Sequence, residues 1–180
     1  MLAIQSALVV LVPEAEAVVQ PFRNRYDPSA RNGCPAHVTL VYPFKPPADI
    51  SKADFDKLSG CFARFEPFRF SLPQILRFPG VLYFAPSPDE PFRKLTLAVW
   101  DCYPETPPYG GRHPDIVPHL SVAQLANERH LDRISAELEQ ASEGKQPILA
   151  VASEVALLDT TSGRWQVRTV LKLGGDTQTA

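Results

Sequence analysis

The frame His-x-Thr/Ser-x occurs twice in this chain, as HVTL at residues 37–40 and HLSV at residues 119–122, with the histidines 82 residues apart. At a strand's period of two, the first copy sets His37, Thr39 and Val41 on one face and Val38, Leu40 and Tyr42 on the other. The second aligns His119 with Ser121 and leaves Leu120 and Val122 opposite. A strand that only filled a core has no use for an imidazole two positions from a hydroxyl. The pattern therefore demands two strands with one polar face each, and its parity assigns Tyr42 to the core.

The rest of the chain repeats an order around these strands. Residues 3–12 read as an apolar strand, followed by a helix whose stripe is Ala15, Val18, Val19, Phe22 and Tyr26, with Pro21 expected to kink or restart it. Asp27-Pro28 ends that helix, and a loop carrying Arg31, Asn32 and Gly33 leads into the first histidine strand. Ser51 and Asp54 form a capping-box pattern, with Ile50 and Phe55 placed as a staple, at the start of a second helix. Segments 67–72 and 80–85, joined through Pro79-Gly80, read as a hairpin. A third helix over 89–103 puts Phe92, Leu95, Val99, Trp100 and Tyr103 on one face. A Pro- and Gly-rich loop follows and delivers the second histidine strand. Asn127 caps a fourth helix with Leu131, Ile134 and Leu138 as its stripe, closed by Gly144. Two last strands are expected near 148–158 and 164–172, joined by DTTSG, and residues 174–180 read as a solvated tail.

Both halves thus run helix, histidine strand, helix, hairpin, the sign of an internal duplication carried by element order rather than residue identity. The expected fold is α+β: one bilobal domain over 1–173, with lobes of about 13–86 and 87–173. A pseudo-twofold axis would bring two antiparallel sheets to face a central cleft, with helices on the outside.

Composition narrows the function. The net charge of −2 argues against a protein that coats duplex DNA or long RNA, which works by neutralising many phosphates. A small anion in a local cleft remains open. Cys34, Cys61 and Cys102 are odd in number and lack CxxC spacing, so reduced thiols and a cytoplasmic setting are expected. ALVVLV at 7–12 imitates the apolar core of a signal peptide, but no Lys or Arg precedes it, and a buried first strand is expected. No apolar run approaches the length of a membrane span.

Two imidazoles facing each other can divide acid and base work, since one can be neutral while the other is protonated. Phosphoryl transfer suits the pair: one takes a proton from the attacking water or hydroxyl, and the other gives one to the leaving oxygen. Thr39 and Ser121 would donate hydrogen bonds to the phosphate oxygens. The chemistry requires no metal or cofactor. A zinc site from His37, His119, His113 and Cys34 lacks the short ligand spacings such sites use.

The paired frames, with RYDPSARNGCPAHVTLVYPF and PPYGGRHPDIVPHLSVA around them, resemble the two-histidine (2H) phosphoesterase superfamily, in its bacterial 2′-5′ RNA ligase-like branch. That resemblance implies a bilobal α+β fold with the motif strands lining the cleft. It implies a metal-independent phosphoric diester hydrolase acting on 2′,3′-cyclic phosphates of nucleotides or RNA ends, some members joining 2′-5′ linkages in reverse. By motif position, His37 and His119 are the acid–base pair, His119 inclining to base and His37 to acid, and Thr39 and Ser121 bind phosphate. A monomer is expected, and the competing reading is a catalytically silent module of the same fold that binds a nucleotide or RNA end.

Three further residues are candidates for substrate contact. Arg31 and Arg112, in the loops before the two strands, suit a phosphate. Tyr109 could stack on a base. His113 and His130 are not aligned with the motif strands, and for them a surface role is expected.

Overall fold

The computed structural model describes residues 4–112 and 115–174, so His113 and most of the expected tail lie outside the described residues. Among the described residues, eight strands form two four-stranded antiparallel sheets. The first, in order β2-β1-β7-β8, contains β1 (Ser6–Leu11), β2 (His37–Val41), β7 (Glu154–Asp159) and β8 (Gln166–Lys172). The second, in order β5-β4-β3-β6, contains β3 (Phe68–Phe78), β4 (Val81–Ser87), β5 (Leu120–Gln124) and β6 (Ile148–Ala152). Each histidine strand is thus an edge strand, and the two edges lie against each other.

The hairpin β3–β4, which follows the first histidine strand in sequence, joins the sheet of the second. The hairpin β7–β8 does the converse. Helices exchange in the same way: α1 (Glu16–Tyr26) packs on β5, and α4 (Glu90–Cys102) packs on β2. Both sequence halves therefore contribute strands to both sheets. One continuous apolar core results, running from Leu8 and Leu40 to Phe84, Leu120 and Val122.

Local chemistry explains the elements. In α3 (Lys52–Phe62) the capping box forms in full, with the Ser51 side chain accepting from the Asp54 N–H and the Asp54 carboxylate accepting from the Ser51 N–H. Lys45 then pairs with the other Asp54 oxygen at 2.8 Å, tying the loop after β2 to this helix. Asn127 caps α5 (Glu128–Ala141) by accepting from the His130 N–H, which places His130 in an exposed first turn.

Several sequence expectations are corrected. Helix α1 runs unbroken through Pro21, held by the buried Val18, Val19 and Arg23 around it. The expected loop at 27–31 contains a short helix, α2 (Pro28–Arg31), capped by Asp27. Strand β3 continues past Leu72 to Phe78, because the irregularity between Ser71 and Gln74 accommodates Pro73, which has no N–H to give a ladder. Residues 148–158 are two strands: β6 alternates buried and exposed residues, whereas β7 is buried on both faces, and the chain passes between sheets at Ser153. Trp100 is 40% exposed and lies off the buried stripe of α4.

Candidate active site

The two histidine strands carry the same local distortion. In β2, Leu8 pairs with Val41 but Val9 pairs with Thr39, so Leu40 is an extra residue. In β5, Leu82 pairs with Ala123 but Tyr83 pairs with Ser121, so Val122 is extra. Each bulge inverts the alternation beyond it. Val41 and Ala123 turn into the core, while Tyr42 and Gln124 turn to the side of the histidines. The assignment of Tyr42 to the core is therefore wrong, and the bulge is the reason.

On that side a cavity of about 480 Å³ is walled by His37, Thr39 and Tyr42 from the first strand and by His119, Ser121 and Gln124 from the second. Gln5, Ser29, Asn32, Tyr109 and Trp165 also line it. The structure thus brings together His37, His119, Thr39, Ser121 and Tyr109. Arg31 and Arg112 are exposed and stand outside this wall. In place of Arg31 its neighbour Asn32 enters, because Gly33, at φ +95°, lets the loop lie flat against Trp165. A Cβ there would meet the Trp165 carbonyl at 3.0 Å, and the Trp165 N–H donates to the Asn32 carbonyl at 2.9 Å.

Both imidazoles are held alike. His37 Nδ1 is 2.7 Å from the Pro35 carbonyl oxygen, and His119 Nδ1 is 2.7 Å from that of Val117, in each case two residues upstream. A carbonyl only accepts, so Nδ1 carries the hydrogen and Nε2 carries the lone pair in the neutral ring. The backbone leading into each strand thereby fixes tautomer and ring orientation for the histidine that follows it.

The surroundings differ. Behind His37 lies Cys34, its Sγ 3.5 Å from Nδ1, and behind that the buried pair Arg23–Asp27. Burial pushes the His37 imidazole down to about 4, opposed by the Pro35 bond and aided by the charges of Arg23 and His119. Burial likewise pushes the Cys34 thiol up to about 12, so it stays protonated beside the ring. His119 sits among aromatic rings instead. Phe78 and Tyr83 meet it edge-on at 5.2 and 5.5 Å, and Tyr109 stacks over it at 6.0 Å and 19°. Among the described residues Tyr109, at φ +53°, is the non-glycine residue in the left-handed region, in the turn Pro108–Gly111. Phe78 and Tyr83 come from a hairpin some 40 residues upstream, and only the sheet exchange puts them here.

The depressed His37 pKa has a consequence for stability. Between pH 6.5 and 4 the unfolded chain binds a proton at His37 that the folded chain does not, so this group's contribution, complete above 6.5, is lost as pH falls toward 4. The expected loss is roughly 3 kcal/mol. Urea unfolding at pH 7 and pH 4.5 measures it: the drop in midpoint should be clearly smaller in His37→Asn than in the wild type. An equal drop in both would show that His37 titrates normally.

The model of the 2′-5′ RNA ligase superfamily matches residues 11–164. Among solved structures, Escherichia coli LigT complexed with 3′-AMP is similar at 13% identity and a TM-score of 0.60, covering 95% of this chain and 99% of that one. TT0787 of Thermus thermophilus is similar at 17% identity and a TM-score of 0.57, covering 96% and 99%. No curated protein sequence matches this chain.

Proposed function

Because this chain belongs to the 2′-5′ RNA ligase superfamily, we propose that it is a metal-independent phosphodiesterase that opens 2′,3′-cyclic phosphates of nucleotides or RNA ends. The observation that carries this reading is the matched pair of imidazoles, each tethered through Nδ1 to a carbonyl two residues upstream, in the wall of one cavity with Thr39 and Ser121.

In the proposed hydrolysis one imidazole takes a proton from water, the water oxygen bonds to phosphorus, and the bond from phosphorus to one ribose oxygen breaks. The other imidazole gives that oxygen a proton. Because burial favours the neutral form of His37, we give His37 the base's part and His119 the acid's, the reverse of the roles that the resemblance implies. Thr39 and Ser121 donate to the two non-bridging oxygens, where they count most as charge builds in the transition state.

Incubation with nucleoside 2′,3′-cyclic monophosphates in excess chelator tests the reading, and opening of the ring to a monoester is expected. Tight binding with no product would point instead to a silent binding module. Thr39→Val and Ser121→Ala should each lower kcat by roughly 10- to 1,000-fold, with KM changing less. Values of kcat within a factor of two of wild type would remove the hydroxyls from the mechanism.

A further inference from the structure

A second cavity, of about 550 Å³, shares His119, Tyr109 and Val81 with the first. It adjoins the catalytic site at His119. Its walls differ in kind from those of the first cavity, which is rich in hydroxyl and amide groups. Here Phe78, Pro79, Val81 and Val117 form an apolar lining, and Asp115 is the acidic residue among those in the wall. Phe78 is itself fixed, stacked on Tyr83 at 4.3 Å and edge-on to His119 at 5.2 Å. A preformed and mostly apolar space with a few polar residues in its wall, next to a phosphoester site, has the size and character of a small-molecule pocket.

We propose that this annex holds the base of the substrate and that Asp115 selects bases bearing an amino group, guanine foremost. The proposal rests on the reading of the site given above. Its chemistry is that of a flat ring with apolar faces and a polar edge: the faces meet Phe78, Val81 and Val117, and the edge meets the carboxylate. A carboxylate accepts hydrogen bonds and donates none. Guanine offers adjacent N1–H and N2–H donors that match its two oxygens, the bidentate geometry that carries specificity elsewhere. Cytosine and adenine offer one amino group each. Uracil sets a single N–H between two carbonyl oxygens, which the carboxylate repels.

The test has a binding arm and a turnover arm. Binding of guanosine, adenosine, cytidine and uridine 3′-monophosphates and of base-free glycerol 2-phosphate is measured by calorimetry in wild type and Asp115→Ala. Turnover of the four nucleoside 2′,3′-cyclic monophosphates is measured in the same proteins. In the wild type, guanosine should exceed uridine by roughly tenfold in affinity and in kcat/KM, as a bidentate edge contact does elsewhere. Glycerol 2-phosphate should bind more weakly than uridine monophosphate. In Asp115→Ala, which alters an exposed side chain, the guanosine-to-uridine ratio should collapse toward one. Ratios that are flat in the wild type, or unchanged in the variant, overturn the proposal while leaving the phosphoesterase reading standing if cyclic substrates are opened. A base preference in binding with no turnover supports the annex and removes the catalytic reading.

Discussion

Substituting either motif histidine should cost roughly 10²- to 10⁴-fold in kcat on a nucleoside 2′,3′-cyclic monophosphate, the range that a positioned acid or base supplies. The two losses should not multiply. Once one partner is gone the other has little left to act with, so the double variant His37→Ala/His119→Ala should fall near the worse single. A phosphodiester with a p-nitrophenolate leaving group separates the roles, because that leaving group departs without a proton. His119→Ala should recover most of its loss on this substrate, and His37→Ala should not. The opposite result would restore the assignment of His119 as base. Full activity in either single variant on the cyclic substrate would end the two-histidine mechanism.

Asp27→Ala should be the most destabilising single change near the site. Arg23 is 2% exposed, and both its Nε and one terminal nitrogen donate to Asp27 Oδ2, at 3.0 and 2.9 Å. The other oxygen accepts from the Ser29 N–H at 2.9 Å and from its hydroxyl at 2.7 Å. Removing the carboxylate strands a buried guanidinium and uncaps α2 together, an expected cost of about 3–5 kcal/mol. In a domain of this size that is about 10 °C of melting temperature. The Ser29 carbonyl also accepts from the Cys34 N–H at 3.0 Å, so the loss should reach the wall behind His37. The double variant Arg23→Met/Asp27→Leu should recover much of the stability, since the penalty lies in the unpaired charge rather than in the missing pair. Thermal unfolding of the three proteins measures this. A melting temperature for Asp27→Ala within about 2–3 °C of wild type, well short of that shift, would show that Arg23 finds water or another partner.

What could be read in advance was whatever depends on short spacing. The His-x-Thr and His-x-Ser frames put imidazole and hydroxyl on one face because two residues suffice to state a strand's parity, and the structure sets all four in one wall. The Ser51–Asp54 capping box is equally local and forms as written. Parity failed at Tyr42, because a bulge depends on the pairing partner, here β1, and nothing within β2 announces it. Topology hid the rest. Phe78 and Tyr83 flank His119 only because the first hairpin crosses to the second histidine's sheet. The Arg23–Asp27 pair was equally hidden, because an i,i+4 spacing of opposite charges does not say whether other elements will bury it. Arginines in the loops before the two strands suited a phosphate, yet Arg31 and Arg112 stand in solvent, and neutral amides such as Asn32, Gln5 and Gln124 line the cavity.

A crystal structure with a nucleoside 3′-monophosphate bound reads the geometry directly. Nε2 of His37 and Nε2 of His119 should each lie about 3 Å from a different oxygen of the same phosphate, with the Thr39 and Ser121 hydroxyls at similar distances from the remaining oxygens. A phosphate that touches one imidazole alone, or that sits outside the cavity walled by these four residues, would contradict the account.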